Sequence, residues 1–339
     1  MKTALLFAGQ GSQRAGMGKD FYENYAEFRR IFDLLPEEQR RIAFEGPDEE
    51  LKKTVNTQPI LLAFGIGVWK LLEKEGFVPA MAAGLSLGEY SALCAAGVFP
   101  PEVAVDLIGF RARQMEDASR GLDTAMSAIM NLDRDAVREC CREAAALVNG
   151  ADPDGIREKT EDSATGPVPA RSGLVEIANF NCPGQIVIAG DREAVEAAER
   201  LAMDKGARRA MRLRVSGPFH TSFMKPAGDA LSERFRSIDF GEARFPVFFN
   251  CVGREKKPDE TVPELLARQV SGSVFFEDTI RGMAEAGIDT VVEIGPGKAL
   301  SGFVRKTCRG IRTLNIDTAE DFERVVRELK ESGLKEAES

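Results

Sequence analysis

The chain has 339 residues, of which 43% are hydrophobic and 29% are charged, as in ordinary globular proteins. Its formal net charge of -9 at pH 7 argues against nucleic-acid binding, which requires a basic surface to neutralise phosphates. The apolar run 4–8 is too short for a signal peptide, and Lys70 interrupts the apolar run that begins at Ile60. We therefore expect a cytoplasmic protein that does not act at a membrane.

Short apolar runs of strand type alternate with helices in the first and last parts of the chain. This alternation predicts a parallel sheet covered by helices, which is an α/β fold. The predicted elements are a strand at 2–8, a helix at 57–75, a strand at 79–85, a helix at 101–119, and strands at 290–294 and 312–317.

The middle of the chain has a different order of elements, β-α-β-β-α-β, which is typical of a ferredoxin-like unit. We therefore predict an inserted small subdomain at 124–216, and a large α/β subdomain formed by 1–123 and 217–339. The segment 149–173 is rich in Gly, Pro, Asp and Ser, and predicts a mobile surface loop with no chemistry of its own. The six cysteines show no Cys-x-x-Cys spacing, which favours reduced thiols that pack in the core, and no metal site is predicted.

A Gly-x-Ser-x-Gly motif at 84–88 places Ser86 between a predicted strand and a predicted helix. This is the context of a nucleophile elbow, in which a sharp turn exposes the serine hydroxyl. A serine hydroxyl needs a base to remove its proton, and the chain contains a single histidine, His220. If Ser86 is catalytic, His220 is therefore its partner; the alternative is a tight turn that contains serine by chance.

Two other glycine clusters match nucleotide-binding motifs incompletely. Arg14 occupies the position of the third glycine in the first cluster, and Ala299 replaces the required Ser or Thr in the second. The turn at 9–13 suits a backbone that approaches a substrate closely. The amides of Gln10 and Leu87 are therefore our candidates for holding a developing oxyanion.

Arg111 lies on an apolar helical stripe with Ala104, Ile108 and Met115. A buried arginine is costly unless an anionic group pairs with it, and a guanidinium can hold a substrate carboxylate by two hydrogen bonds. The alternative is that its stem packs on the stripe while its head group reaches solvent or a structural carboxylate.

Together these motifs resemble malonyl-CoA:acyl carrier protein transacylase of dissociated bacterial fatty acid synthesis. The resemblance implies an α/β-hydrolase-like large subdomain with a parallel sheet and an inserted ferredoxin-like small subdomain. The matching positions run in order from residue 7 to about 303: Gly9 to Gln13, Thr57 to Pro59, Gly84 to Leu93, Arg111 with Met115, Asn179 to Asn181, Pro183 to Gln185, Gly217 to His220, Asn250, and Glu293 to Gly297.

The resemblance implies ping-pong transfer of a malonyl group through Ser86, with His220 as the general base and Arg111 on the malonyl carboxylate. It also implies that a backbone carbonyl orients the histidine, and Asn250 is the matching position. Phe219 resembles the malonyl-selective pattern, and Gln58 is expected in the same pocket. Malonyl-CoA and coenzyme A are substrate and product, with no permanently bound cofactor. Leu85 departs from the family, since many members carry histidine there.

The expected protein partner is acyl carrier protein, an acidic protein bound transiently by a monomeric enzyme. Two basic clusters are candidates for its docking surface: Lys298, Arg305, Lys306, Arg309 and Arg312, and Lys205, Arg208, Arg209 and Arg212. Two other functions stay open. One is a serine esterase of the α/β-hydrolase class, which shares the elbow, and the other is a catalytically silent docking module for carrier protein.

Overall fold

A parallel sheet carries the predicted elbow at its edge. The protein is described here from a computed structural model covering residues 2–150 and 173–332, so the predicted loop 149–173 lies, apart from its ends, outside the described residues. The sheet has the order β11-β10-β1-β2, with all neighbours parallel. Its strands are β1 (Thr3–Phe7), β2 (Met81–Gly84), β10 (Thr290–Ile294) and β11 (Arg312–Ile316).

Helices pack on both faces of this sheet, so β1 and β10 are buried along their whole length, and apart from Thr3, Thr290 and Glu293 their side chains are apolar. The helices of this part are α1 (Lys19–Asn24), α2 (Ala26–Phe32), α3 (Glu37–Glu45), α4 (Asp48–Leu51), α5 (Thr54–Lys74), α6 (Gly88–Ala95), α7 (Pro101–Ser119), α10 (Lys225–Phe235), α11 (Val262–Ser271), α12 (Phe276–Glu285), α13 (Ala299–Thr307) and α14 (Ala319–Glu331).

Helix α5 is long and apolar enough to cross a membrane by length and composition, but 83% of its apolar window is buried inside the protein. It therefore serves as a core helix. Helix α7 begins at Pro101, as predicted, because proline at the first helical position loses no hydrogen bond there. The α/β fold predicted from the alternation of elements is confirmed, although helices α1–α4 and α10–α14 were not predicted.

A second, mostly antiparallel sheet has the order β6-β3-β5-β4-β9. Its first four strands and two helices follow the predicted βαββαβ order: β3 (Thr124–Met130), α8 (Arg134–Val148), β4 (Val175–Cys182), β5 (Gln185–Asp191), α9 (Arg192–Asp204) and β6 (Arg209–Arg212). The fifth strand, β9 (Val274–Phe275), comes from the C-terminal part of the chain and pairs in parallel with β4. The small sheet therefore recruits a strand from outside 124–216, which the predicted division did not include.

A short hairpin of β7 (Phe248–Phe249) and β8 (Arg254–Glu255) lies beside the parallel sheet. An isolated parallel bridge joins Val247 to Ala82 of β2, so the segment before the hairpin extends the parallel sheet beyond β2 only briefly. The carboxyl ends of the parallel strands β1, β2 and β10 lie on the same side of the sheet. The turns that follow them bring residues 9–13, Ser86 and residues 295–298 together on that side. Ligands of open α/β sheets bind outside the carboxyl ends of the strands.

Candidate active site

Ser86 occupies a sharp turn between β2 and α6, and its φ of 56° lies in the left-handed region. Such a conformation is strained for a non-glycine residue and is typical of an exposed nucleophile. The flanking glycines are required by close approach of the backbone. A Cβ at Gly84 would lie 2.0 Å from the carbonyl carbon of Gly88, and a Cβ at Gly88 would lie 2.2 Å from the Phe7 carbonyl oxygen.

His220 lies against this turn, although 134 positions separate the two residues in sequence. Its Nε2 is 2.7 Å from Ser86 Oγ, and its Nδ1 is 2.8 Å from the carbonyl oxygen of Gln269. Because a carbonyl only accepts, Nδ1 carries the proton and Nε2 presents its lone pair to the serine hydroxyl. Burial, reinforced by the charge of Arg111, lowers the pKa of His220 to about 4. The imidazole is therefore the neutral base at neutral pH.

Asn250 does not orient the histidine, and this prediction is wrong. The carbonyl oxygen of Asn250 accepts instead from the amide of Phe275 at 2.8 Å, which leaves Gln269 to supply the carbonyl at His220. The Asn250 side chain is bound to the nucleophile turn. Its Oδ1 accepts from the Ser86 amide at 2.6 Å, and its Nδ2 donates to the Gly84 carbonyl at 2.7 Å.

Arg111 is fully buried beside the nucleophile, so the alternative of a guanidinium that reaches solvent is wrong. Its Nη1 donates to Gln58 Oε1 at 2.7 Å, while Nη2 donates to Gln269 Oε1 at 2.9 Å and to Ser86 Oγ at 3.1 Å. The guanidinium carbon lies 5.5 Å from the centre of the Tyr90 ring. Within residues 2–150 and 173–332, no carboxylate forms an ion pair with Arg111, so a buried cation is held by neutral partners alone.

Gln269 contacts all three groups and was missed by the sequence analysis. Its carbonyl accepts from His220, its Oε1 accepts from Arg111, and its Nε2 donates to the Ser86 carbonyl at 2.8 Å. The sequence signal that could have identified Gln269 is its position on the buried stripe of α11, beside Leu265, Leu266 and Val270. A polar side chain at a core position requires hydrogen-bond partners, so it marks a buried polar network.

A cavity of about 130 Å³ opens between the two sheets onto Ser86 and His220. Gln10, Leu85 and Phe219 line it from the large subdomain, and residues of the small sheet line it from the other side: Met126, Asn179, Asn181 and Val187. Gln58 lies behind this cavity, in contact with Arg111 and with Met115 Sδ. Leu87 follows Ser86 directly and is buried at the start of α6, so the roles of Leu87 and Gln10 amides at an oxyanion stay a prediction.

Comparisons with known proteins show the family to which the chain belongs. A family model described as an acyl transferase domain matches residues 4–162. The malonyl CoA-acyl carrier protein transacylase of Bacillus subtilis is 38% identical over 334 residues, which cover 97% of this chain and 98% of the relative. The chain belongs to the malonyl CoA-acyl carrier protein transacylase family.

Solved structures of this transacylase family share the whole fold. The transacylase from Clostridium perfringens is 34% identical with a TM-score of 0.85, and the alignment covers 98% of each chain. A malonyl-transacylase in holo complex with its type II PKS acyl-carrier protein is 32% identical with a TM-score of 0.86, covering 97% of this chain and 100% of that one.

The lowered pKa of His220 predicts how the transacylase activity depends on pH on the acid side. Because the folded-state pKa is about 4, the base form is present at higher pH and is lost only as the pH falls through that value. We expect kcat/KM for acyl-CoA to stay constant from about pH 7 to pH 5, where a histidine with the ordinary pKa of about 6.5 would lose activity. Acetyl-CoA, which has no free carboxylate, serves as the control substrate, and circular dichroism monitors acid unfolding. A decline centred near pH 6.5 in a folded enzyme contradicts the assignment.

Proposed function

We propose that this protein transfers the malonyl group of malonyl-CoA to the phosphopantetheine thiol of acyl carrier protein, through a malonyl ester on Ser86, and so supplies extender units for fatty acid synthesis. The observation that carries the proposal is that a neutral imidazole and a buried guanidinium both contact one serine oxygen. The imidazole activates that oxygen, and the guanidinium marks where an anionic acyl group binds.

In the first half-reaction, Ser86 Oγ attacks the thioester carbonyl while its proton passes to His220 Nε2. The amides of Gln10 and Leu87 hold the oxyanion of the tetrahedral intermediate. The carbon–sulfur bond then breaks, and the coenzyme A sulfur takes the proton from Nε2. Because burial and Arg111 disfavour the imidazolium, the histidine returns this proton readily.

The second half-reaction reverses the acylation of Ser86, with the phosphopantetheine thiol in place of coenzyme A. The phosphopantetheine thiol gives its proton to His220 and attacks the Ser86 ester, and the departing Ser86 oxygen recovers the proton. Malonyl-CoA and carrier protein are the only substrates, and no permanently bound cofactor enters a step. The monomeric state and the cytoplasmic location remain predictions from the sequence.

An esterase function is less well supported by the same geometry. Serine esterases of the α/β-hydrolase class place their histidine after the last sheet strand and orient it with a carboxylate. Here β10 and β11 of the parallel sheet follow His220 in sequence, and its Nδ1 meets a backbone carbonyl. An intact pair of Ser86 and His220 also argues against a catalytically silent docking module.

Arg111 selects the acyl group in this proposal. A malonyl carboxylate would give the buried guanidinium the anionic partner that the neutral glutamines do not supply. Phe219 lines the cavity and is 5% exposed, so its bulk leaves little room for a branch on the acyl chain.

Carrier protein docks, in this proposal, at an exposed cationic lip formed by Lys298, Arg305, Lys306 and Arg309. Lys298 lies in the turn after β10, at the carboxyl ends of the strands with Ser86, and α13 and the turn that follows it carry the other three residues from there toward the start of β11. Within the part of the chain that the structure describes, none of these four side chains has an ion-pair partner, so their charge is available to an acidic protein. Arg312, the fifth residue of this predicted cluster, pairs with Glu328 and is therefore not part of the lip. The other predicted cluster is partly neutralised, since Lys205 pairs with Glu139 and Arg212 pairs with Glu199.

Trapping the acyl-enzyme tests the proposed function. Incubation with labelled malonyl-CoA, followed by digestion and mass spectrometry, should place the malonyl group on Ser86, and Ser86→Ala should carry none. Carrier protein should then remove the label as malonyl-carrier protein. Rapid release of free malonate without carrier protein would indicate an esterase, and a chain that is never labelled would indicate a docking module.

Replacing Arg111 by alanine should change which acyl group is transferred. The variant loses the partner of the carboxylate, so kcat/KM for malonyl-CoA should fall by about 100-fold or more, while acetyl transfer falls much less. The ratio of the two rates is the measurement, because any general loss of packing lowers both. Equal losses would show that Arg111 has only a structural role.

Charge reversal at the lip tests carrier-protein docking. The double variant Lys298→Glu with Arg305→Glu should raise the KM for carrier protein several-fold at low salt and leave the KM for malonyl-CoA nearly unchanged. Arg30→Glu, which reverses a single exposed charge on α2 that pairs with Glu27, controls for charge reversal elsewhere on the surface. Docking at the lip is refuted if both substrates are affected alike, or if the control has the same effect.

A further inference from the structure

A buried carboxyl group lies behind the nucleophile and is not used in the proposed reaction. Glu89, in the first turn of α6, is fully buried. Its Oε2 accepts from the backbone amide of Asn250 at 2.6 Å, and its Oε1 has no hydrogen-bond partner among the described residues. A buried carboxyl group with one free oxygen is costly, so its retention requires a role.

The contacts of Asn250 connect Glu89 to Ser86. Glu89 fixes the Asn250 backbone, and the Asn250 carboxamide in turn bonds the Ser86 amide at 2.6 Å and the Gly84 carbonyl at 2.7 Å. These bonds hold the strained backbone of the nucleophile, whose φ is positive. A strained turn persists only where surrounding contacts determine it, and the Glu89–Asn250 pair supplies two of those contacts.

Glu89 also lies in the electrostatic field of Arg111, yet the two side chains form no ion pair. The other titratable groups around Glu89 are Tyr90 on its own helix and the buried thiol of Cys251 beside the β7–β8 hairpin. Burial raises the pKa of Glu89 to about 8, against the opposing effects of the Asn250 amide, the Gln269 side chain and the Arg111 charge. Arg111 is therefore the one permanent charge in this group.

We propose that Glu89 is a positioning residue that acts as a neutral carboxylic acid: it fixes Ser86 through Asn250, and by carrying no charge it leaves Arg111 free to bind the carboxylate of the acyl group. The second part rests on the proposed function, since it requires an anionic acyl substrate. An ionised Glu89 would partly neutralise Arg111 from behind and weaken its hold on that substrate.

Because Glu89 is neutral at neutral pH, the effect of pH on the acyl preference has a definite direction. A carboxyl whose folded pKa is raised stays protonated at neutral pH and ionises as the pH rises through about 8. The ratio of malonyl to acetyl transfer should therefore fall as the pH rises through this range, because only malonyl transfer depends on the full charge of Arg111. Taking the ratio cancels alkaline effects that are common to both thioesters.

The experiment compares Glu89→Gln and Glu89→Ala with the wild type. Glutamine keeps the shape and the acceptor oxygen of a neutral acid, so Glu89→Gln should keep kcat within a few-fold of wild type and should abolish the pH dependence of the ratio. Alanine removes the contact to Asn250, so Glu89→Ala should lower kcat for both acyl groups on the order of 100-fold with little change in KM. Glu293→Gln is the matched control: Glu293 is also buried, with a pKa raised by burial, but its carboxylate accepts from the amides of Leu300 and Ser301. It should keep the wild-type pH dependence.

Two results would overturn the proposal: a folded Glu89→Gln variant as impaired as Glu89→Ala, or a wild-type ratio that does not change between pH 7 and pH 9. If Glu89→Ala does not fold, the pH dependence of Glu89→Gln decides. Labelling of Ser86 by malonyl-CoA is measured in the same samples. A labelled Ser86 with an unchanged ratio refutes the role of Glu89 alone, whereas an unlabelled Ser86 refutes the proposed function.

Discussion

The site depends on a buried guanidinium, that of Arg111, which has no carboxylate partner among the described residues. Removing Arg111 from water is expensive, and the carboxamides of Gln58 and Gln269 accept hydrogen bonds from its two terminal nitrogens without cancelling its charge. The protein thus maintains an unpaired positive charge next to Ser86 Oγ. Burial and that charge together lower the pKa of His220, and in the proposed function the same charge binds an anionic acyl group, so that one group would serve both catalysis and selectivity.

The glutamines explain how such a charge is tolerated. Gln269 donates to the Ser86 carbonyl, accepts from Arg111 and supplies the carbonyl for His220, so a change at this residue would disturb nucleophile, base and cation together. Its position on α11 is fixed by the apolar side chains beside it. Gln58, Arg111 and Gln269 sit on packed helices, and these helices hold the network in place around Ser86 and His220, which lie in turns.

The two sheets contribute different parts of the site. The parallel sheet delivers the nucleophile turn and the oxyanion candidates at the carboxyl ends of its strands, and the small sheet closes the cavity with the side chains of β4 and β5. Strand β9 joins β4 from the C-terminal part of the chain, directly after α11, which carries Gln269. The pairing of β4 with β9 therefore connects the wall of the cavity to the residue that orients the base.

The sequence by itself determined the α/β class, the order of elements in the small subdomain, and the pairing of Ser86 with His220. These features depend on local pattern, on close backbone packing at Gly84 and Gly88, and on the presence of a single histidine. Only the tertiary structure decided that the carbonyl of Gln269, and not that of Asn250, meets the imidazole, and that Arg111 is buried without a carboxylate. Both depend on which backbone and side-chain atoms meet across 49 or more positions, and neither spacing nor composition specifies that.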